Sequence, residues 1–207
     1  MNKNQVEAHP LGFFLPPNTQ LLMLGSFPPP QQRWSMNFYY PNIQNDMWRI
    51  LGYLFYSDKE YFLEAPRKFS EEKCKAFCRE IGLGIGDTGM EVIRQKGNAS
   101  DKFLEIVTPI NLKKVLEQIP LCKAIVVTGQ KAMDTLLSVL SQFTTVTEPS
   151  VGDSVSFQLF GKEMLLFRMP SSSRAYPKPL TEKAVIYRKM FESLGMIAKE
   201  EDFGEKT

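Results

Sequence analysis

The residues of this chain that could do chemistry gather in two proline-rich segments. The first, Ser26 to Asn45, holds Trp34, Asn37, Phe38, Tyr39, Tyr40, Asn42, Gln44 and Asn45. Flat aromatic rings suit stacking on a planar heterocycle, and asparagine or glutamine amides match its donor and acceptor edges. The second, Pro170 to Pro179, carries Ser171, Ser172, Ser173, Arg174 and Lys178, small and cationic groups of the kind that phosphate contacts need. Blander readings stand beside both. Tyr39 and Tyr40 could simply pack the first segment onto a core, three serines beside prolines could form an ordinary turn, and Lys178, Lys183, Arg188 and Lys189 read best as a solvated helix face.

Other catalytic inventories are thin. The one histidine, His9, stands near the N-terminus, which excludes a serine or cysteine triad. No Walker-type loop occurs, and Gly82-x-Gly84-x-Gly86 has the wrong spacing for a dinucleotide fingerprint and reads as a tight turn. Cys74, Cys78 and Cys122 are too few for a zinc or iron–sulfur site and read as structural thiols. No cofactor and no metal are expected. A site poor in histidine and nucleophiles still suits hydrolytic removal of a base. There the catalyst orients a water, stabilises a cation-like sugar and accepts a departing base anion.

These segments need elements to hold them. Gln20 to Gly25 (QLLMLG) reads as a buried strand that runs into Ser26 to Pro30, whose consecutive prolines force a loop. Asn45 to Phe55 reads as a helix with Asn45 as its N-cap, and Ser70 opens another that ends near Gly82. Ile81 to Thr88 is expected to be a glycine-rich connection, with Asp87 capping a helix that begins near Thr88. Phe103 to Pro109 holds a short strand, and Asn111 caps a helix to about Gln118. Lys123 to Thr128 is a second buried strand, followed by a helix from Gln130 to about Ser141. Val155 to Phe160 and Glu163 to Met169 flank a hairpin turn at Gly161-Lys162. The second arm ends at the serine-rich segment, and Thr181 opens a last helix. Strands alternating with helices argue for a three-layer α/β/α sandwich around a mostly parallel sheet of four strands. Ligands of such sheets bind beyond the carboxyl ends of the strands, which is where both segments fall.

Bulk properties agree with one domain. The chain has 207 residues, 43% hydrophobic and 23% charged. It is expected to form a single unit with a core over about 18–197, a short N-terminal tail and an acidic C-terminal tail. The apolar runs are too short for a membrane span, and Met1 to Pro10 lacks the pattern of a secretory signal, so a cytoplasmic location is expected. The net charge of +2 decides nothing about nucleic acid.

Leu22 to Phe55, LMLGSFPP…YYPNIQNDMWRILGYLF, resembles the first motif region of the uracil-DNA glycosylase superfamily. It is similar to the mismatch-specific uracil/thymine branch and closer to the hypoxanthine (deoxyinosine) branch. Gly82 to Val92, Ala124 to Ala132 and Met169 to Tyr176 (MPSSSRAY) are similar to three further family segments in the same order. The resemblance spans roughly residues 20–195. It implies that Asn45 is a water-orienting catalytic amide and that Asp87 lies near the site, holding water or the sugar. It implies a base pocket of Gly25, Ser26, Phe27 and Pro28, with Tyr40 stacking on the extruded base. It also implies a loop, Ser171, Ser172, Ser173 and Arg174 with Lys178 beyond, that contacts DNA. Phe27 stands where the uracil/thymine branch has an asparagine, Pro29 where a glycine is usual, and Arg174 where a proline is usual. The implied activity is monofunctional DNA glycosylase action on hypoxanthine or uracil, by a monomer. The alternative is a catalytically silent nucleic-acid-binding relative, which Phe27, Pro29 and Arg174 favour. A small-molecule α/β hydrolase would want more acidic loop residues than Asp46 and Asp87.

Overall fold

The computed structural model describes residues 5–95 and 103–198; the acidic tail expected at 199–207 lies outside them. The central sheet has five strands in the order β5-β2-β8-β10-β9. They are β2 (Leu21–Gly25), β5 (Leu83–Asp87), β8 (Ala124–Thr128), β9 (Ser154–Leu159) and β10 (Lys162–Met169). All pairs are parallel except β9 with β10. The three-layer, mostly parallel architecture is the one expected, with one strand more than the four predicted.

The strands are buried on both faces, which is why they read as continuous apolar runs rather than alternating ones. Leu21 and Met23 of β2 face a cluster with α1 (Met47–Tyr56), α2 (Glu71–Ile81) and α5 (Leu180–Ser193). Leu22 and Leu24 face the opposite cluster, with α3 (Leu112–Gln118) and α4 (Gln130–Leu140). Helix starts follow the expected chemistry at two places: the Ser70 hydroxyl accepts from Lys73 N–H, and Asn111 Oδ1 accepts from Lys114 N–H.

Four local expectations are corrected. Gly82-Leu-Gly-Ile-Gly-Asp87 is no turn or connection: Leu83–Asp87 is β5, wholly buried and in register with β2. Its glycines make room for the N-terminal segment, since a Cβ on Gly86 would lie 2.2 Å from the Phe13 ring. Composition suggested a turn; close packing is the actual reason for the glycines. Secondly, no helix begins near Thr88. The chain continues as β6 (Gly89–Arg94), which pairs antiparallel with β1 (Val6–Ala8) and with β7 (Leu104–Pro109) in a separate small sheet. Thirdly, the N-cap of α1 is Asp46, one residue later than expected. Asn45 nonetheless supplies the capping group, as Asn45 Oδ1 accepts from Met47 N–H at 2.9 Å. A short hairpin, β3 (Leu63–Ala65) with β4 (Lys68–Phe69), was also not foreseen. The β9–β10 turn falls one residue earlier, at Phe160-Gly161, because Leu159 pairs with Lys162.

Candidate active site

The parallel strands β2, β5, β8 and β10 all end on one side of the sheet. A cavity of about 640 Å³ opens there, bounded by the loops that leave those ends. Its lining includes Gly25 at the end of β2, Ser26, Phe27 and Pro28 after it, Tyr39, Tyr40 and Asn45 before α1, Asp87 at the end of β5 and Thr128 at the end of β8. Ser171, Ser172, Ser173 and Arg174 after β10 complete it. Residues from both proline-rich segments and from β5 therefore share one space. Lys178 does not line it; its ammonium meets Glu182 at 3.2 Å on the first turn of α5.

Both loops are tied down through their carbonyls. In the first, Trp34 Nε1 donates to Pro29 O, Trp48 Nε1 to Tyr39 O, and the buried Arg49 guanidinium to Ile43 O. In the second, Tyr187 donates to Pro170 O at 2.9 Å and Lys183 Nζ to Ser173 O at 2.8 Å. Burial lowers the Lys183 pKa and the Arg174 charge lowers it further, against the pull of Asp46. The loops are also joined to each other. Asn45 and Ser173 form an antiparallel bridge, Asp46 N–H donates to Ser172 O, and Arg174 Nε donates to Asp46 Oδ1, both at 2.9 Å.

Gly25 is the point where the floor depends on a missing side chain. A Cβ there would stand 2.5 Å from Asp87 Oδ1 and 3.8 Å from the Tyr40 hydroxyl. The glycine lets the carboxylate lie against β2, directly across the register pair Gly25–Asp87. Tyr40 is held in the left-handed region at φ 52°, and its hydroxyl lies 3.1 Å from Thr128 Oγ1. Such a backbone for a tyrosine costs roughly 1–3 kcal/mol and fixes its ring at the cavity wall. Tyr39 is almost wholly buried. Burial first, then the Asp87 charge and Tyr40, push its phenol well above the ordinary range, so it stays protonated.

Sequence reasoning set His9 aside, and the structure places it beside the site. His9 Nε2 lies 2.8 Å from Asp87 Oδ2, with the two side chains only 4% and 8% exposed. The contact joins residues 78 apart in sequence, so no local pattern could have revealed it. Among the described residues, no three His, Cys, Asp or Glu side chains come together to hold a metal ion. No described helix is long and apolar enough to cross a membrane.

Comparison with known proteins adds a likeness at the level of fold. No family model and no curated protein matches the chain. A solution NMR structure from Methanosarcina acetivorans, of a protein provisionally named a uracil DNA glycosylase, superposes with a TM-score of 0.60. The match covers 90% of this chain and 99% of that one at 20% identity. The chain thus has a uracil-DNA-glycosylase-like fold, and its cavity sits at the carboxyl ends of the strands of that fold.

Proposed function

We propose that the protein is a monofunctional DNA glycosylase that hydrolyses the N-glycosidic bond of a deaminated base, hypoxanthine or uracil. The observation that carries this reading is the gathering of Tyr40, Asn45 and Asp87 with the Ser171–Arg174 loop around one cavity. The fold likeness to a protein named for this activity supports the same class.

In this reading an extruded base enters the cavity and stacks on Tyr40, its edge against the loop from Ser26 to Pro28. Asn45 has its side-chain oxygen pinned by the Met47 N–H, so its amide presents a fixed face to water. The Asp87 carboxylate stabilises the cation-like sugar and receives the proton of the attacking water. The Ser171–Ser173 hydroxyls and Arg174 contact the DNA backbone around the extruded nucleotide. Among the described residues no lysine lines the cavity, so base loss is expected to leave an abasic site without strand cleavage.

The test is incubation of the purified protein with labelled duplexes carrying one uracil, hypoxanthine, xanthine or mismatched thymine, followed by alkali. Asn45→Ala and Asp87→Ala run beside the wild type. Alkali-labile sites in one duplex, lost in either variant, are the expected result and name the base. DNA binding without abasic sites in any duplex refutes the enzyme reading and leaves the silent nucleic-acid binder.

A further inference from the structure

The N-terminal segment is fastened across the end of the small sheet. Its β1 pairs with β6 from Val6–Ile93 to Ala8–Glu91, and His9 N–H donates to Met90 O at 2.7 Å. This delivers the His9 ring to the rear of the cavity. The ring meets Phe27 edge-on at 5.1 Å and Tyr39 at 5.9 Å, two residues that line the cavity, while His9 itself does not. Its other nitrogen, Nδ1, lies 2.6 Å from Leu11 O and 3.1 Å from Leu11 N. The imidazole is therefore clamped at both nitrogens and on its flanks.

Two acceptors do not approach to 2.8 Å, so with Asp87 ionised the Nε2 atom must carry a proton, whether Nδ1 is protonated or not. That N–H donates to Oδ2 and leaves Oδ1 as the oxygen that lies over Gly25. A carboxylate's terminal torsion is soft and roughly two-fold. A charge-assisted hydrogen bond from a clamped donor is what turns such a group into one with a fixed reactive oxygen.

We infer that His9 is a positioning residue: it holds Asp87 in the orientation in which Oδ1 serves the cavity, and the N-terminal strap is part of the catalytic apparatus. This rests on the glycosylase reading for its kinetic consequence, but the contact itself can be tested without activity. His9 is the one histidine of the chain, so imidazole ¹⁵N signals need no assignment.

The first arm records those signals for the wild type and for Asp87→Asn. A protonated, exchange-protected Nε2 whose shift moves on removal of the carboxylate charge is expected. An unprotonated Nε2, or one indifferent to Asp87→Asn, overturns the inference even if no base is ever excised. The second arm measures single-turnover excision and DNA affinity for His9→Phe, His9→Gln, Asp87→Asn and the His9→Phe/Asp87→Asn double variant. His9→Phe should slow excision about 10–100-fold, the scale of a displaced catalytic group, with affinity nearly unchanged. His9→Gln, which can still donate near the Nε2 position, should recover most of the rate. In the Asp87→Asn background His9→Phe should cost little more, because it acts through that carboxylate. Equal losses in both backgrounds, or full activity in His9→Phe, overturn the inference. An inactive wild type with the expected ¹⁵N result sinks the glycosylase reading while the His9–Asp87 link stands.

Discussion

Gly25→Ala isolates the geometry of the site with a single methyl group. A Cβ at this position would sit 2.5 Å from Asp87 Oδ1, against 3.4 Å for ordinary contact, so the carboxylate must retreat by about 0.9 Å. The backbone at Gly25 has no positive φ, so the alanine brings no conformational strain of its own. Displacing a catalytic group by about 1 Å costs on the order of 10²-fold in rate, whereas overpacking of this size costs about 1–3 kcal/mol in stability. The assay is single-turnover release of the base that the wild type excises, beside thermal melting and binding to the same duplex. Expected are a rate lower by about 10²-fold, a modest fall in melting temperature and unchanged affinity. Gly12→Ala is the control, because nothing lies within 4 Å of a Cβ there and it should leave the rate alone. A Gly25→Ala enzyme within threefold of wild type, with melting confirming a folded protein, would refute the role given to Asp87 Oδ1.

Arg174→Ala removes the bridge to Asp46, but the arginine side chain is 51% exposed, so stability should change by less than about 1 kcal/mol. If the loop contacts DNA, the same variant should weaken binding at low salt and reduce the salt slope by about one, read by fluorescence anisotropy. Burial pushes the Cys122 thiol up to about 11, and Cys74 and Cys78 higher still, so the folded protein should resist iodoacetamide at pH 8 and react at three thiols once unfolded. The sign for stability follows: the folded thiols keep their protons while unfolded ones ionise from about 9, so stability should fall as pH rises from 9 towards 11, measured by urea unfolding. Tyr40→Phe should keep the ring against the cavity while losing the contact to Thr128, so excision should fall less than in Tyr40→Ala, compared in the alkali assay.

What sequence made legible was whatever depends on local pattern. The apolar runs of β2, β8 and β10 announced a sheet covered on both faces, and the prolines after Gly25 and Met169 marked where its loops begin. Those two features place Ser26–Asn45 and Pro170–Pro179 on the same side from sequence alone. The failures share a cause as well. β5 does not read as a strand because its glycines answer to Phe13 and Thr19, residues distant in sequence. β6 does not read as a strand because its partners, β1 and β7, are short strands whose pairing no single segment advertises. His9 is illegible in sequence because a lone histidine near a terminus has no periodicity, and its meaning lies in a carboxylate 78 residues away.

β5, β6 and His9 bear on one another. Because the strand β5 continues through Thr88 into β6, Asp87 sits where the chain passes from the central sheet to the small one. Thr88 N–H and hydroxyl both donate to Gly25 O, and Gly89 N–H donates to Ser26 O, locking the crossover to the end of β2. A helix at Thr88 would have consumed Asp87 as its cap. The strand instead releases the carboxylate's two oxygens for different neighbours, one toward His9 and one against Gly25. The small sheet, which contributes little to the main core, thus earns its place by anchoring β1 and with it His9. The proposed site is for this reason built on three tethers: β2 to β5 by parallel register, β5 to the N-terminal strap by the imidazole, and the two loops to each other by Asn45, Asp46 and Arg174. Loosening any one should change the rate of the proposed reaction before it changes the fold, since the main core lies in the two layers below.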